Sequence, residues 1–109
     1  MPFFPNRMAD VEVIIKNERP SKSVMKSGYR PAFKVKSDYL TTGVIKFIDI
    51  EELRFSEEAI AVIWFITPQF YPNCLEVGQT IPFQEGKMVH GYATITKINN
   101  KVLERKISQ

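Results

Sequence analysis

Along much of this chain apolar and polar residues alternate one by one. That is the period of a strand with one face toward a core and the other toward water. The pattern predicts strands at Asp10–Lys16 (DVEVIIK), Pro31–Lys36, Gly43–Asp49 (GVIKFID), Ala59–Thr67, Gln79–Gln84 (QTIPFQ) and His90–Ile98 (HGYATITKI). Turn-like clusters separate them at Asn17–Gly28, Ser37–Thr42, Phe70–Gly78 and Glu85–Val89. Ile50–Glu58 carries Glu51, Glu52, Glu57 and Glu58 and reads first as a solvated loop. The stretch AIAVIWFI, Ala59 to Ile66, is apolar at both parities. It fits a strand covered on both faces, with Trp64 as a packing residue. Many short strands without a long helical period predict an all-β fold, a small closed barrel or a sandwich. Residues 1–8 read as a loose lead-in, 9–98 as the domain, and 99–109 (NNKVLERKISQ) as a polar tail. That tail is open between an extra strand, a short helix and disorder.

The entry to the second strand is unusual. In GYRPAFKV, residues 28–35, Gly28 can take a positive φ where the chain turns sharply. Pro31 fixes its own φ and biases Arg30 toward an extended conformation. From Ala32 the residues alternate, Phe33 and Val35 on one side, Lys34 and Lys36 on the other. The result is a half-buried strand entered through a stiff corner.

Composition narrows the function classes. A chain of 109 residues, 44% hydrophobic and 25% charged, fits one globular domain with a modest core. The net charge of +3, from 15 basic and 12 acidic residues, is too small to assign nucleic-acid binding by itself. A single cysteine, Cys74, excludes an internal disulfide and a cysteine-rich zinc site. No apolar run reaches the roughly 20 residues of a membrane-spanning helix. The opening MPFFPNRM holds two prolines and lacks the charged n-region of a signal peptide. The chain therefore reads as cytoplasmic, with no membrane partner.

Reactive constellations are not visible in the sequence. His90 is the only histidine, and no nucleophile elbow or HExxH motif accompanies it. No GxxxxGK[ST] phosphate loop is present, which argues against nucleotide hydrolysis of that class. Asn99–Asn100–Lys101 lacks the aspartate of a guanine-reading NKxD motif. The expectation is a non-enzyme without cofactor, metal or nucleotide.

Taken in order, the blocks resemble a known family. DVEVIIK, a polar arm, GYRPAFKV and then Thr42–Gly43–Val44–Ile45 are similar to the C-terminal (third) domain of translation elongation factor Tu. There a strand of the type AEVYIL leads through an arm to GYRPQF. Val77–Gly78–Gln79 matches a strand-to-turn glycine. Glu85–Gly86, Val89 and Gly91 resemble REGGRTVGAG, and YATITKI resembles GVVTKI. The likeness spans about residues 9 to 98. It implies a closed six-stranded antiparallel β-barrel without catalysis of its own. In that family the domain packs on the GTPase domain, contacts the T-stem of aminoacyl-tRNA and helps bind the exchange factor.

On the matching positions the candidate contact residues are Arg30 at the corner, Lys36, Ser37, Asp38 and Thr42 in a first turn, and Lys87, His90 and Gly91 in a second. The chain also departs from the family. Gln84 and Met88 stand where the family has arginines, which removes two guanidiniums suited to phosphate contacts. The Ser37–Thr42 turn is one residue longer, and Ile48–Glu58 lacks a PGD-type turn. The GTPase domain and second barrel are not in this sequence. The resulting expectation is a binding module for a protein or RNA partner of the translation system. If tRNA or another RNA binds, Lys36 and Lys87 meet phosphates, salt weakens the contact, and Phe70 and Tyr71 are the bases' stacking candidates. The alternative is a small immunity-type or regulatory protein that occludes a non-translational partner.

Overall fold

Val11, Val13 and Ile15 are fully buried, while Glu12, Ile14 and Lys16 between them face outward. The same alternation, repeated strand by strand, rolls the chain into a cylinder with one lined interior. The computed structural model describes residues 4–36 and 39–105. Its strands are β1 (Val11–Asn17), β2 (Met25–Lys26), β3 (Ala32–Lys36), β4 (Tyr39–Phe47), β5 (Glu52–Leu53), β6 (Glu58–Phe65), β7 (Thr80–Glu85) and β8 (Met88–Ile98). Six of them close an antiparallel barrel in the order β1-β6-β4-β3-β7-β8. β8 returns to β1, from Val11–Ile98 to Asn17–Gly91. The expected all-β, six-stranded closed barrel is the fold.

The interior is aromatic at its centre. Phe33, Phe65 and Phe83 are buried, with the Phe33 ring 5.6 Å from Phe65 and 5.4 Å from Phe83. Separate lids close the two ends. At the end where β3 begins and β7 finishes, β2 pairs with β5 and drops Met25 and Leu53 into the core. At the other end Leu75 and Leu103 do the same, from a loop and from a 3-10 turn at Lys101–Leu103.

Several boundaries differ from the sequence expectation. β4 starts at Tyr39, so Thr41 and Thr42 are strand residues and not part of a turn. β8 likewise starts at Met88. The β7–β8 connection is a two-residue loop with Gly86 at φ 58°, as a II′ hairpin requires at its first central position. The polar arm is anchored by Asn17, whose buried amide donates to Ser23 O and Leu53 O, 2.9 Å each. Its far end is the corner: Gly28 takes φ 98°, and Gly28 N–H donates to Ile45 O.

The lead-in is docked as well. Arg7 makes a bidentate contact with buried Asp10 and also donates to Phe65 O. The hydrogen bonds to Asp10 push the Arg7 guanidinium up from its ordinary value, against an opposing effect of burial. Asp10 further accepts from Phe65 N–H and from the Asn100 amide, while Asn99 N–H donates to Asp10 O. Phe4 lies 5.6 Å from Trp64, whose indole donates to Arg7 O. This strap covers part of the outer face of β6. Trp64 packs under it with Val44 and Ala9, but Ile60 on the same face is exposed. The two-sided burial expected of Ala59–Ile66 thus holds for half of the strand.

Candidate functional site

The candidate residues fall into three places. β3 and β7 run antiparallel, with Ala32 opposite Gln84. The β3–β4 hairpin, which carries Lys36, and the β7–β8 hairpin, which carries Lys87, therefore stand at opposite ends of the barrel. The structure does not gather them on one face. Arg30 and Thr42 meet on the outer wall, where they line a 190 Å³ pocket with Pro5, Val44, Trp64 and Ile66. Ser37 and Asp38 lie outside the described residues.

At the β7–β8 end, Lys87 is exposed at the hairpin loop and His90 sits within β8. Gly91 is buried, and its role is close approach: a Cβ there would stand 2.3 Å from Lys16 O and 2.4 Å from Phe83 Cζ. His90 belongs to a cluster absent from the sequence reading. Glu85 Oε2 accepts the Tyr29 hydroxyl at 2.6 Å, stands 2.9 Å from His90 Nδ1 and 4.0 Å from an Arg19 guanidinium nitrogen. The Arg19 guanidinium lies 4.4 Å over the Tyr29 ring and also donates to Ser23 Oγ and Val24 O. Burial first, and the bond to Glu85 second, push the Tyr29 phenol well above its usual range, with Arg19 opposing. A carboxylate beside a histidine is the orienting half of an acid–base pair. Here the hydroxyl next to it is locked as a donor. The cluster's work is to bolt the polar arm to the β7–β8 hairpin.

The β3–β4 end is different. Its surface is apolar and cationic: Tyr39 is 56% exposed, Phe70 71%, and Leu40 and Ile66 are exposed beside them. Lys36 Nζ lies 5.7 Å from the Tyr39 ring. The 3-10 turn Pro68–Phe70 is joined to the hairpin by the Tyr71 hydroxyl, which donates to Leu40 O at 3.2 Å. Tyr71 packs against the core, whereas Phe70 turns out to solvent. The two aromatics of FYPNC are therefore not equivalent, and only Phe70 offers a free face.

Next to this patch a groove of about 360 Å³ opens between β3 and β7. Lys34, Val35 and Lys36 form one wall, Thr80, Ile81 and Pro82 the other, and Pro72, Asn73, Gln79 and Arg105 its rim. Cys74 reaches it from below, nearly buried, with its thiol donating to Tyr71 O at 2.9 Å. Burial pushes the Cys74 thiol up, more strongly than nearby Lys36 and Arg105 pull it down. It is a packed thiol, held away from the thiolate that a nucleophile needs. Three cations and no carboxylate line the groove among the described residues.

Sequence reasoning named Lys36 and missed Lys34, Arg105, Tyr39 and the groove itself. Pro82 inside a strand pattern was the one available signal, because proline is confined to positions where a ladder donor is not needed. Among the described residues no group of three or more His, Cys, Asp or Glu side chains is placed to hold a metal ion. No described helix is long and apolar enough to cross a membrane. No protein-family model matches the chain, and no curated protein matches it.

Proposed function

We propose that the chain is a non-enzymatic binding module, akin to the C-terminal domain of elongation factor Tu, that grips a protein of the translation system. The observation that carries this reading is the surface at the β3–β4 end. There Lys36, Tyr39, Leu40 and Phe70 stand exposed beside a cationic groove, on a barrel whose opposite hairpin holds Glu85 in internal contacts. An aromatic and apolar patch bordered by cations is the composition of a contact surface. The block order GYRP, Glu85–Gly86 and YATITKI supplies the link to translation. The two best-placed titratable groups, Tyr29 and Cys74, are both driven toward their protonated forms, which suits structure better than catalysis.

The test is affinity capture from native lysate with the full chain, read by mass spectrometry and by sequencing of co-purified RNA. Enrichment of a translation factor or ribosomal protein is the expected result. Tight 1:1 capture of a non-translational protein would replace this reading with an occluding, immunity-type role.

One observation favours an RNA partner as the second reading: the exposed Tyr39 ring has Lys36 Nζ 5.7 Å away, a stacking face beside a phosphate-seeking charge, and Phe70 is exposed at the same end of the barrel. Salt titration of tRNA binding, with Lys36→Glu and Phe70→Ala alongside the parent chain, separates the two. Binding insensitive to both changes eliminates the RNA reading.

A further inference from the structure

The groove between β3 and β7 exists because the ladder there stops early. β7 is registered with β8 along its whole length, from Thr80–Thr94 to Glu85–Met88. With β3 it makes only two registered pairs, Ala32–Gln84 and Phe33–Phe83. Continued by one step, the register sets Lys34 opposite Pro82. β3 is itself irregular between Phe33 and Lys36, where its register with β4 shifts, and backbone direction supplies a second reason for the lost step. Ile95 N–H donates to Gln79 O, so residue 79 faces β8, and alternation turns residue 82 toward β3. Gly43 N–H donates to Pro31 O, so residue 31 faces β4 and Lys34 faces β7. The position that should donate to the Lys34 carbonyl is thus a proline, which has no N–H. Beyond it the strands part, and the gap between Lys34–Lys36 and Thr80–Pro82 is the groove.

Such a gap presents strand edges, and strand edges accept extended chain. Its charge selects which chain. Lys34, Lys36 and Arg105 surround it; Arg105 is shared with Glu76 at 3.3 Å, outside the groove lining. Its volume of about 360 Å³ fits a short peptide segment better than a folded surface. We propose that the β3–β7 groove is the docking site for an extended acidic segment of the partner protein, held by strand-edge backbone groups and by Lys34, Lys36 and Arg105. This rests on the binding-module reading and names the chemistry of the partner's contact.

The test uses the full chain and fluorescein-labelled hexaglutamate, read by anisotropy, with hexaglutamine and an oligouridylate hexamer as comparators. The acidic peptide binds, and hexaglutamine binds at least tenfold more weakly. Lys36→Glu and Arg105→Glu each weaken hexaglutamate about tenfold, the effect of turning a partly exposed attraction into a repulsion. Pro82→Val restores a donor opposite Lys34 without changing charge. It lets the seam close, and the peptide affinity falls by a similar factor, with the melting temperature equal or higher. Equal binding of the two peptides overturns the proposal. So does undiminished binding by Pro82→Val with a retained fold, which would reduce the effect to surface charge. Preference for the oligouridylate over hexaglutamate overturns it in favour of nucleic acid. A lysate partner retained equally by all three variants leaves the binding-module reading standing and removes this site from it.

Discussion

The seam between β3 and β7 has two ends of opposite character. Where β3 begins, Ala32 and Phe33 are zipped to β7 and the junction is clamped from outside. Tyr29, just before β3, reaches Glu85 at the end of β7, and Arg19 and His90 close around the same carboxylate. Where β3 ends, the ladder has stopped at Pro82, and among the described residues the charges that line the gap are all of one sign. One pair of strands is thus a closed joint at one end and an open cleft at the other. The difference shows where this barrel invests its polar groups. At the clamped end Tyr29, Arg19 and His90 gather around Glu85, which fixes structure, although among the described residues Arg19 Nε and His90 Nδ1 make no hydrogen bond. At the open end the polar groups face solvent, which leaves them available to a partner.

The sharpest way to break the clamped end is to separate its strands. Gly91→Ala puts a Cβ into Lys16 O and the Phe83 ring, neither of which can retreat without moving a strand or the central aromatic cluster. The expected loss is about 3 kcal/mol or more, seen as a large drop in the urea midpoint. Asn17→Ala comes next. It leaves Ser23 O, Leu53 O and Arg19 N–H without their partner, at a side chain with no exposure. A loss of about 2–3 kcal/mol follows. Hydrogen exchange should then show the β2–β5 lid opening ahead of the barrel. If the lid and barrel open together, Asn17 is not the hinge of the clamped end.

Alkaline pH probes the same end without mutation. The Tyr29 phenol is held protonated in the fold, while in the unfolded chain it ionises near its ordinary value of about 10. A raised pKa stabilises the fold fully below the unfolded value, and that contribution falls as pH rises from there towards the raised folded value. Cys74 acts with the same sign from its own lower starting value. The urea midpoint should therefore decline above about pH 9 and more steeply above 10. Tyr29→Phe should flatten the steeper part. An unchanged slope in that variant would show that Tyr29 does not hold its proton in the fold.

How much of this could be read from the chain follows from the range of each interaction. Strands with one buried face announce themselves locally, and Val11, Val13 and Ile15 or Phe33 and Val35 do so within a few residues. The turn at Gly28 was legible for the same reason, since its positive φ needs only glycine. The lids were not. Met25 with Val24 and Leu53 alone are brief apolar interruptions of polar stretches, and two-residue strands carry no period. The docked strap was also hidden, because Asp10 gathers Arg7, Phe65 and Asn100 from both ends and the middle of the chain. Of the site, Lys36 was legible as a turn lysine, but its neighbour Arg105 comes from the last residues of the structure. A groove made by two strands failing to pair is a property of register, and register emerges only after the barrel has closed.

The smallest expected effect tests the comparison from the open end. Lys34, Lys36 and Arg105 are exposed, and among the described residues the one ion pair they make, Arg105–Glu76, is a surface pair. Such pairs contribute little, and surface substitutions generally stay within about 0.5 kcal/mol. Lys34→Ala, Lys36→Ala and Arg105→Ala should therefore leave the urea midpoint nearly unchanged, singly and together. Contrast with Asn17→Ala is the measurement that matters: a polar residue at the clamped end whose loss is felt by the whole fold, against three at the open end whose loss the fold does not notice. If the triple variant were destabilised as strongly as Asn17→Ala, the cations would be bracing the seam, and the open end would be a second clamp in place of a contact surface.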